Sequence, residues 1–362
     1  MTNTLRLLKK KHFFIAIFIG FQSCAPPKSL LYLEGNPVLK NKINDIIKSS
    51  EIDLNMGIKI VSLRDNKTLY AYNSQKLLMP ASTNKLYTCA AALHYLGNDY
   101  TFKTSLLKNN NNLILKGGGD PDLKIDELDS LAKMVSKSIK IVDTLYVDDT
   151  FLDSLNYGEG WMWDEGSWWY AAPVSALSVN DNCIDFYIEP GKVGSTAKID
   201  HFPETSYITF ENNSITVADT LNFKKIEIDR DWVSNKNNFT VTGKIHNTTK
   251  KDTLLRNIYD PSLFTGTIFK GLLIKHGTQV KQLSAKPQDL SDYMEIANHK
   301  SDSLIVSAKN LMNSSDNLTA ELFMKTIGAL DSLPGTWKSG LDSVKSFLAG
   351  QVKIDTSQIR LA

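Results

Sequence analysis

Cysteine is scarce, with three residues at positions 24, 89 and 183 of 362. That is too few for the paired framework that staples small secreted folds. Histidine is scarce as well. The six, at 12, 94, 201, 246, 276 and 299, are scattered without metal-ligand spacing, so neither a metal nor any other cofactor is expected. No sign of charge dominates. Lys and Arg number 41 against 39 Asp and Glu, a net +2, which gives no electrostatic basis for a nucleic-acid partner. The apolar run His12–Phe21 falls well short of the ~20 residues that span a bilayer. Internal repeats and long low-complexity linkers are missing. Gly117-Gly118-Gly119 lacks the Gly-Lys-Ser/Thr ending of a phosphate loop and reads as a turn. What remains is a chain that is 42% hydrophobic and 22% charged, able to bury a full core. At ~100–200 residues per domain, two or three domains are expected.

The first residues read as a targeting signal. Arg6, Lys9, Lys10 and Lys11 precede the short apolar run, which ends in Ser23-Cys24 and then Ala25-Pro26-Pro27. This resembles a bacterial lipoprotein signal. Residues 1–23 would be removed and Cys24 lipidated, so that the membrane is met only through a lipid anchor. Plain secretion or an uncleaved anchor is the alternative. Removal of residues 1–23 takes away Arg6 and the three lysines and no acid, leaving a slightly acidic chain. Cys89 lies on an apolar helix face and reads as a buried free thiol.

Helical periodicity is clear at Leu39, Ile43, Ile46 and Ile47, and again at Leu86, Cys89, Ala90, Leu93 and Leu96, closed by Gly97. Leu304, Ile305, Ala308, Leu311 and Met312 form another stripe. Leu318 to Ile327 follows directly. Leu341, Val344 and Leu348 form a late one that Gly350 should end. Ile58 and Ile60, the turn Asp65-Asn66 and Leu69-Tyr70-Ala71-Tyr72 predict a hairpin. From about 186 to 248, period-two pairs such as Ile208/Phe210, Ile215/Val217, Ile226/Ile228 and Phe239/Val241 predict strands. A mixed start and a helical end therefore bracket a β-rich middle.

Two short motifs carry chemistry. In Pro80-Ala81-Ser82-Thr83-Asn84-Lys85, Ser82 stands where a helix should start and Lys85 lies one turn on, on the same face. A serine hydroxyl needs a base beside it, and a lysine whose pKa is lowered by burial can be that base. Alone, the pattern reads first as a serine cap beside an exposed lysine. Ser315-Asp316-Asn317 falls in the break between two helical stripes, where it could aim a hydroxyl and an amide into a cleft. Ser, Asp and Asn are also the favoured capping residues.

Taken together, Ser82-Xaa-Xaa-Lys85 and Ser315-Asp316-Asn317 are the first two motifs of the penicillin-recognising acyl-serine enzymes. The long interval between them indicates a large insertion. With PASTNKLYTCAAALHYLG (80–97), GGGDPDL (117–123), GWMWDEGSWWYAAPVSALSVNDN (160–182) and MNSSDNLTAELFMKTIG (312–328), the chain resembles the three-domain D-alanyl-D-alanine carboxypeptidase/endopeptidase family of penicillin-binding proteins over roughly residues 35–362.

The resemblance implies an α/β (α+β) fold: a β-lactamase/transpeptidase-like domain split by a β-rich insertion. Its first part would be 24–99, the insertion 100–295 and its second part 296–362. It implies that Ser82 attacks the carbonyl of a D-Ala-D-Ala terminus, that Lys85 takes its proton, and that Ser315 relays a proton to the leaving amine. Asn317 would bind the substrate amide, and the Ser82 backbone N–H would supply half of an oxyanion hole. Peptidoglycan stem peptides would be substrates and β-lactams covalent inhibitors, on the periplasmic side of a bacterial envelope. An acid and an aromatic would face the diamino-acid side chain. Glu165 and Tyr170 line up with these, with Asp164 the competing carboxylate. Trp161, Trp163, Trp168 and Trp169 read as domain-interface packing, or else as a platform for sugar or peptide.

The family's third motif, Lys-Thr-Gly on an edge strand, is expected well after Ser315. Lys338-Ser339-Gly340 leads into a helix, Lys275-His276-Gly277-Thr278 ends one and precedes Ser315, and Lys325-Thr326-Ile327-Gly328 is another helix end. None fits. The chain is therefore expected to lack the C-terminal part of that domain and to be impaired. The other expectation is a non-catalytic peptidoglycan- or penicillin-binding envelope protein. A stand-alone β-lactamase is disfavoured by the long insertion.

Overall fold

The helical stripes and two-residue alternations become elements close to where the sequence puts them. The computed structural model describes residues 37–51, 55–219, 224–285 and 290–358. The lipoprotein signal and Cys24 lie outside the described residues. Two units are distinguished, Met1–Pro80 and Ala81–Ala362.

In the first unit, helix α1 (Pro37–Ser49) is followed by a hairpin of β1 (Ile58–Val61) and β2 (Thr68–Tyr72), paired antiparallel with Ile58 opposite Tyr72. Asn66 takes the left-handed conformation in its turn, as the Asp65-Asn66 signal requires. Tyr70 is buried, and its hydroxyl donates to Asn44 Oδ1 at 2.8 Å.

The second unit opens with a 3₁₀ turn, Ala81–Asn84, that runs into α2 (Lys85–Tyr95). Gly97, at φ 84°, turns the chain away. Then come β3 (Thr101–Asn109), β4 (Asn112–Lys116), α3 (Ile125–Val135) and β5 (Ile141–Asp148). The β-rich stretch supplies β6 (Cys183–Glu189), β7 (Lys198–Phe202), β8 (Thr209–Asn212), β9 (Ile215–Val217), β10 (Glu227–Arg230), β11 (Asn238–Thr242), β12 (Lys244–His246) and β13 (Asp252–Asn257). After α4 (Pro261–Lys275), β14 (Gln279–Ala285) and β15 (Met294–Ser303), the chain ends in α5 (Leu304–Ser314), α6 (Asn317–Gly328) and α7 (Trp337–Phe347). Gly350 does not end this last helix as expected. A π-helical turn, Leu348–Val352, carries it on, and Lys353 stops it in the left-handed conformation.

The largest sheet has the order β14-β5-β4-β3-β15, parallel across β14/β5/β4 and antiparallel across β4/β3/β15. The pairing of β3 with β15 places the helices on either side of the β-rich stretch. The chain leaves the helical part along β3 and returns along β15. Leu304 N donates to Tyr100 O at 2.7 Å, which ties the exit of the intervening stretch to its entrance. That closure brings α2 next to α5 and α6, although Ser82 and Ser315 are far apart in sequence.

Burial follows the same division. One core cluster gathers Leu106, Leu115, Leu128, Val142, Phe186, Phe239, Phe264 and their neighbours from the sheets, α3 and α4. A second gathers Cys89, Ala92, Phe102, Leu311, Phe323, Ile327 and Val344 around α2, α5, α6 and α7. Phe102 at the start of β3 stacks on Phe323 of α6 at 6.0 Å between ring centroids. Cys89 is a buried free thiol as expected, and burial pushes its pKa up.

Close backbone approach explains two glycines. A Cβ at Gly117 would lie 2.2 Å from Ala176 O, so this glycine permits a close backbone crossing. A Cβ at Gly340 would lie 2.1 Å from Met324 O. The glycine of Lys338-Ser339-Gly340 therefore lets α7 cross α6, a packing role inside a helix.

Candidate active site

The Ser82 motif folds as its sequence suggests, with one difference. Ser82 lies in the 3₁₀ turn ahead of α2, so its exposed hydroxyl precedes the regular helix, and Lys85 is that helix's first residue. Lys85 is 8% exposed. Burial holds its amine below the usual lysine range, and the carboxylates of Asp316 and Glu321 partly oppose that shift.

The second motif divides its labour. Ser315 is a left-handed residue that breaks α5 from α6. Asp316 caps α6, its carboxylate accepting from Leu318 N at 3.0 Å and Thr319 N at 3.3 Å. The capping reading is therefore right for Asp316, while the residues on either side of it point elsewhere. Lys85 Nζ lies 3.3 Å from Ser82 Oγ, 3.2 Å from Ser315 Oγ and 2.7 Å from Ser315 O, and it also bonds Asn317 Oδ1. The structure thus brings together all four residues Ser82, Lys85, Ser315 and Asn317.

Four oxygen atoms surround the amine: Ser315 O and Asn317 Oδ1, which only accept, and the hydroxyls of Ser82 and Ser315. A base beside an exposed serine hydroxyl is the requirement for nucleophilic catalysis by serine.

A cavity of about 220 Å³ adjoins this cluster, lined by Trp161, Glu165, Tyr170, Asn317 and Glu321 among others. Asn317 Nδ2 donates to Tyr170 O at 2.8 Å, which ties the aromatic segment to the motif. Glu165 and Tyr170 therefore share a cavity with Asn317. Asp164 is exposed and does not line it. Trp161, Trp168 and Trp169 differ in their surroundings. Trp161 packs against Leu152, Val174, Leu318 and Leu322. Trp168 and Trp169 stay 45% and 43% exposed. Trp168 stacks parallel to Tyr170 at 6.1 Å and carries the Arg256 guanidinium over its ring at 4.4 Å.

Glu321 is the residue that sequence reasoning missed. The available signal was its place one turn after Asn317 on α6. Its Oε2 accepts from Trp337 Nε1 at 2.7 Å, and burial raises its pKa. The three lookalikes of the third motif are helical or helix-ending: Lys338-Ser339-Gly340 within α7, Lys275 to Thr278 after α4 with Gly277 at φ 85°, and Lys325 to Gly328 closing α6. Among the described residues no group of histidine, cysteine, aspartate and glutamate is placed to hold a metal. None of the described helices is long and apolar enough to cross a membrane.

Known proteins are similar to this chain. The D-alanyl-D-alanine carboxypeptidase of Actinomadura sp. is 31% identical over 324 residues, covering 84% of this chain and 60% of that protein. The D-alanyl-D-alanine carboxypeptidase DacB of Haemophilus influenzae is 26% identical over 326 residues, covering 85% and 66%. The chain thus spans about three fifths to two thirds of the length of these relatives. The crystal structure of penicillin binding protein 4 (dacB) from Haemophilus influenzae superposes with a TM-score of 0.70 at 26% identity, covering 82% of this chain and 67% of that one. A second structure of that protein, complexed with a β-lactam, gives 0.67 at 23% identity, covering 86% and 69%. Both are mixed α/β folds of the kind described above. The profile of the D-Ala-D-Ala carboxypeptidase 3 (S13) family matches residues 39–362, a span that holds the serine–lysine turn and the Ser315–Asn317 break alike, and the chain belongs to that family.

Proposed function

We propose that the chain is a serine-type D-Ala-D-Ala carboxypeptidase or endopeptidase acting on peptidoglycan stem peptides through an acyl-enzyme on Ser82. The observation that carries this reading is the convergence of Ser82, Ser315 and Asn317 on the single buried amine of Lys85. Lys85 takes the hydroxyl proton as Ser82 Oγ bonds the carbonyl carbon of the penultimate D-Ala. The peptide C–N bond then breaks, and a proton passes through Ser315 to the leaving amine. Water attacks the ester, Ser82 regains its proton, and the shortened peptide leaves. Asn317 holds the substrate amide. Glu165 and Tyr170 face the diamino-acid side chain, a role for which their shared cavity favours Glu165 over Asp164.

β-Lactams would acylate the same serine. The stretch 100–295 is the insertion, 24–99 and 296–362 the two parts of the transpeptidase-like domain, and Cys24 the lipid anchor at the periplasmic side of the envelope. Lys-Thr-Gly does not occur in the 362 residues. The test is D-alanine release from a peptide ending in D-Ala-D-Ala, beside a control ending in L-Ala-L-Ala. Release from the first peptide alone is expected. Equal release from both, or none from either after prolonged incubation, would overturn the reading.

A further inference from the structure

The Asn317 amide is held in one sense. Its Oδ1 bonds the Lys85 amine, and its Nδ2 donates to Tyr170 O at 2.8 Å, an atom that only accepts. With the NH₂ end committed to that carbonyl, the oxygen end is left for the amine. Tyr170 O therefore decides which end of the amide meets Lys85. Tyr170 lies in a 3₁₀ turn, Trp169–Ala171. That turn is fixed by Asn257, the fully buried last residue of β13. Asn257 Nδ2 stands 2.9 Å from Trp168 O, 2.9 Å from Ala171 O and 3.1 Å from Gly166 O, and its backbone N–H donates to Ser167 O at 2.9 Å. The carbonyls on both sides of Trp169 and Tyr170 are thus gripped by one amide. Asn257 Oδ1 accepts from Nη2 of buried Arg230 at 3.0 Å, so this amide too is held in one sense.

We infer that Asn257 is a positioning residue for the reaction: from the end of β13 it fixes the carbonyls of residues 166–171, and through Tyr170 O it turns the Asn317 oxygen toward Lys85. The inference rests on the proposed roles of Lys85 and Asn317 in acylation. Three carbonyl oxygens around one point in the interior repel one another, and an NH₂ group between them turns that repulsion into attraction. The neighbouring Arg256 steadies the same segment from the side, through the Trp168 ring that stacks on Tyr170. β13 pairs antiparallel with β6, Asn257 opposite Cys183, so the support comes from the β-rich stretch that lies between the two motifs in sequence. By this relay the stretch does more than fill the interval. It sets the hydrogen-bonding sense of a residue that touches the base.

Asn257→Asp is nearly isosteric and keeps an oxygen for Arg230, but it sets a second oxygen against the three carbonyls. The test follows the Asn317 side-chain amide by NMR in the full chain labelled with ¹⁵N-asparagine, the resonance assigned through Asn317→Asp. In Asn257→Asp, solvent exchange of that amide should quicken by about 3–10-fold, the effect of losing one hydrogen bond, and the limiting rate of Ser82 acylation by a β-lactam should fall by a similar factor. Asn257→Ala removes the donor without adding a charge, and serves if the aspartate variant does not fold. Phe186→Leu, in the sheet core of the same stretch, should lower stability and move neither readout. Unchanged exchange in a folded Asn257 variant, quickened exchange with an unaltered acylation rate, or equal effects in Phe186→Leu would overturn the inference. The exchange readout needs no substrate, so it is decided separately from acylation. Quickened exchange in a protein whose wild-type form no β-lactam labels would uphold the positioning and reject the acyl-enzyme reading.

Discussion

Lys85→Met should slow acylation of Ser82 by about 10²–10⁴-fold, the range for removing a positioned general base. Methionine keeps an unbranched chain of similar length, so the wall around it stays filled. What disappears is the nitrogen that stands 3.3 Å from Ser82 Oγ. Stopped-time labelling with a fluorescent penicillin measures the rate, and thermal unfolding shows that the variant remains folded. The wild-type rate has a pH signature as well. Burial holds the Lys85 amine below its ordinary 10.5, so its neutral form is present at lower pH than for a free lysine. Acylation should rise with pH with a midpoint below that of a free lysine. A rate that keeps rising through 10.5, or a Met variant as fast as wild type, would remove Lys85 from the role of base.

The second large effect falls on stability. Asp153→Ala leaves the Lys325 ammonium, fully buried in α6, without its carboxylate. Breaking such a pair from one side costs about 3–5 kcal/mol, because the remaining charge is out of water and has lost its counter-charge. Lys325→Met should cost less. It removes the buried charge itself and leaves Asp153, whose side chain is 18% exposed, free to be solvated. Burial holds the folded-state pKa of Lys325 below the unfolded value, while Asp153 opposes that shift. Without Asp153 the folded value falls further. The folded state then binds fewer protons than the unfolded state between the two values, so the variant gains stability as pH rises through that window. Urea unfolding of both variants at neutral and alkaline pH measures this. Equal costs, or a larger cost for Lys325→Met, would contradict the buried-charge explanation.

The sequence announced much of this where chemistry is local. The helical stripes became α1, α2, α5 and α6 because apolar spacing and the signals at Gly97 and Ser315 lie within a turn or two of what they control. The Ser82–Lys85 pair is legible because one helical turn enforces its proximity. The Lys85–Ser315 contact is not local. It depends on β3 pairing with β15, and was reached only by resemblance. Glu321, Trp337, Lys325 and Asp153 stayed hidden for the same reason. Each alone reads as an ordinary surface charge or core aromatic, and only the α6–α7 crossing, permitted by Gly340, makes them one network. The end of α7 was misplaced because glycine only permits a helix stop, and the chain continues one π-helical turn to Lys353. Trp168 escaped the packing expectation because its ring lies over the side chain of Arg256, a residue distant in sequence.

The decisive measurement is the intact mass and peptide map of the chain after prolonged exposure to an excess of a β-lactam, beside Ser82→Ala treated identically. A gain of one β-lactam mass, located on the peptide that carries Ser82 and absent from the alanine variant, is the expected result. An adduct on another residue, an adduct that survives Ser82→Ala, or an unmodified wild-type chain would contradict the assignment of Ser82 as the nucleophile.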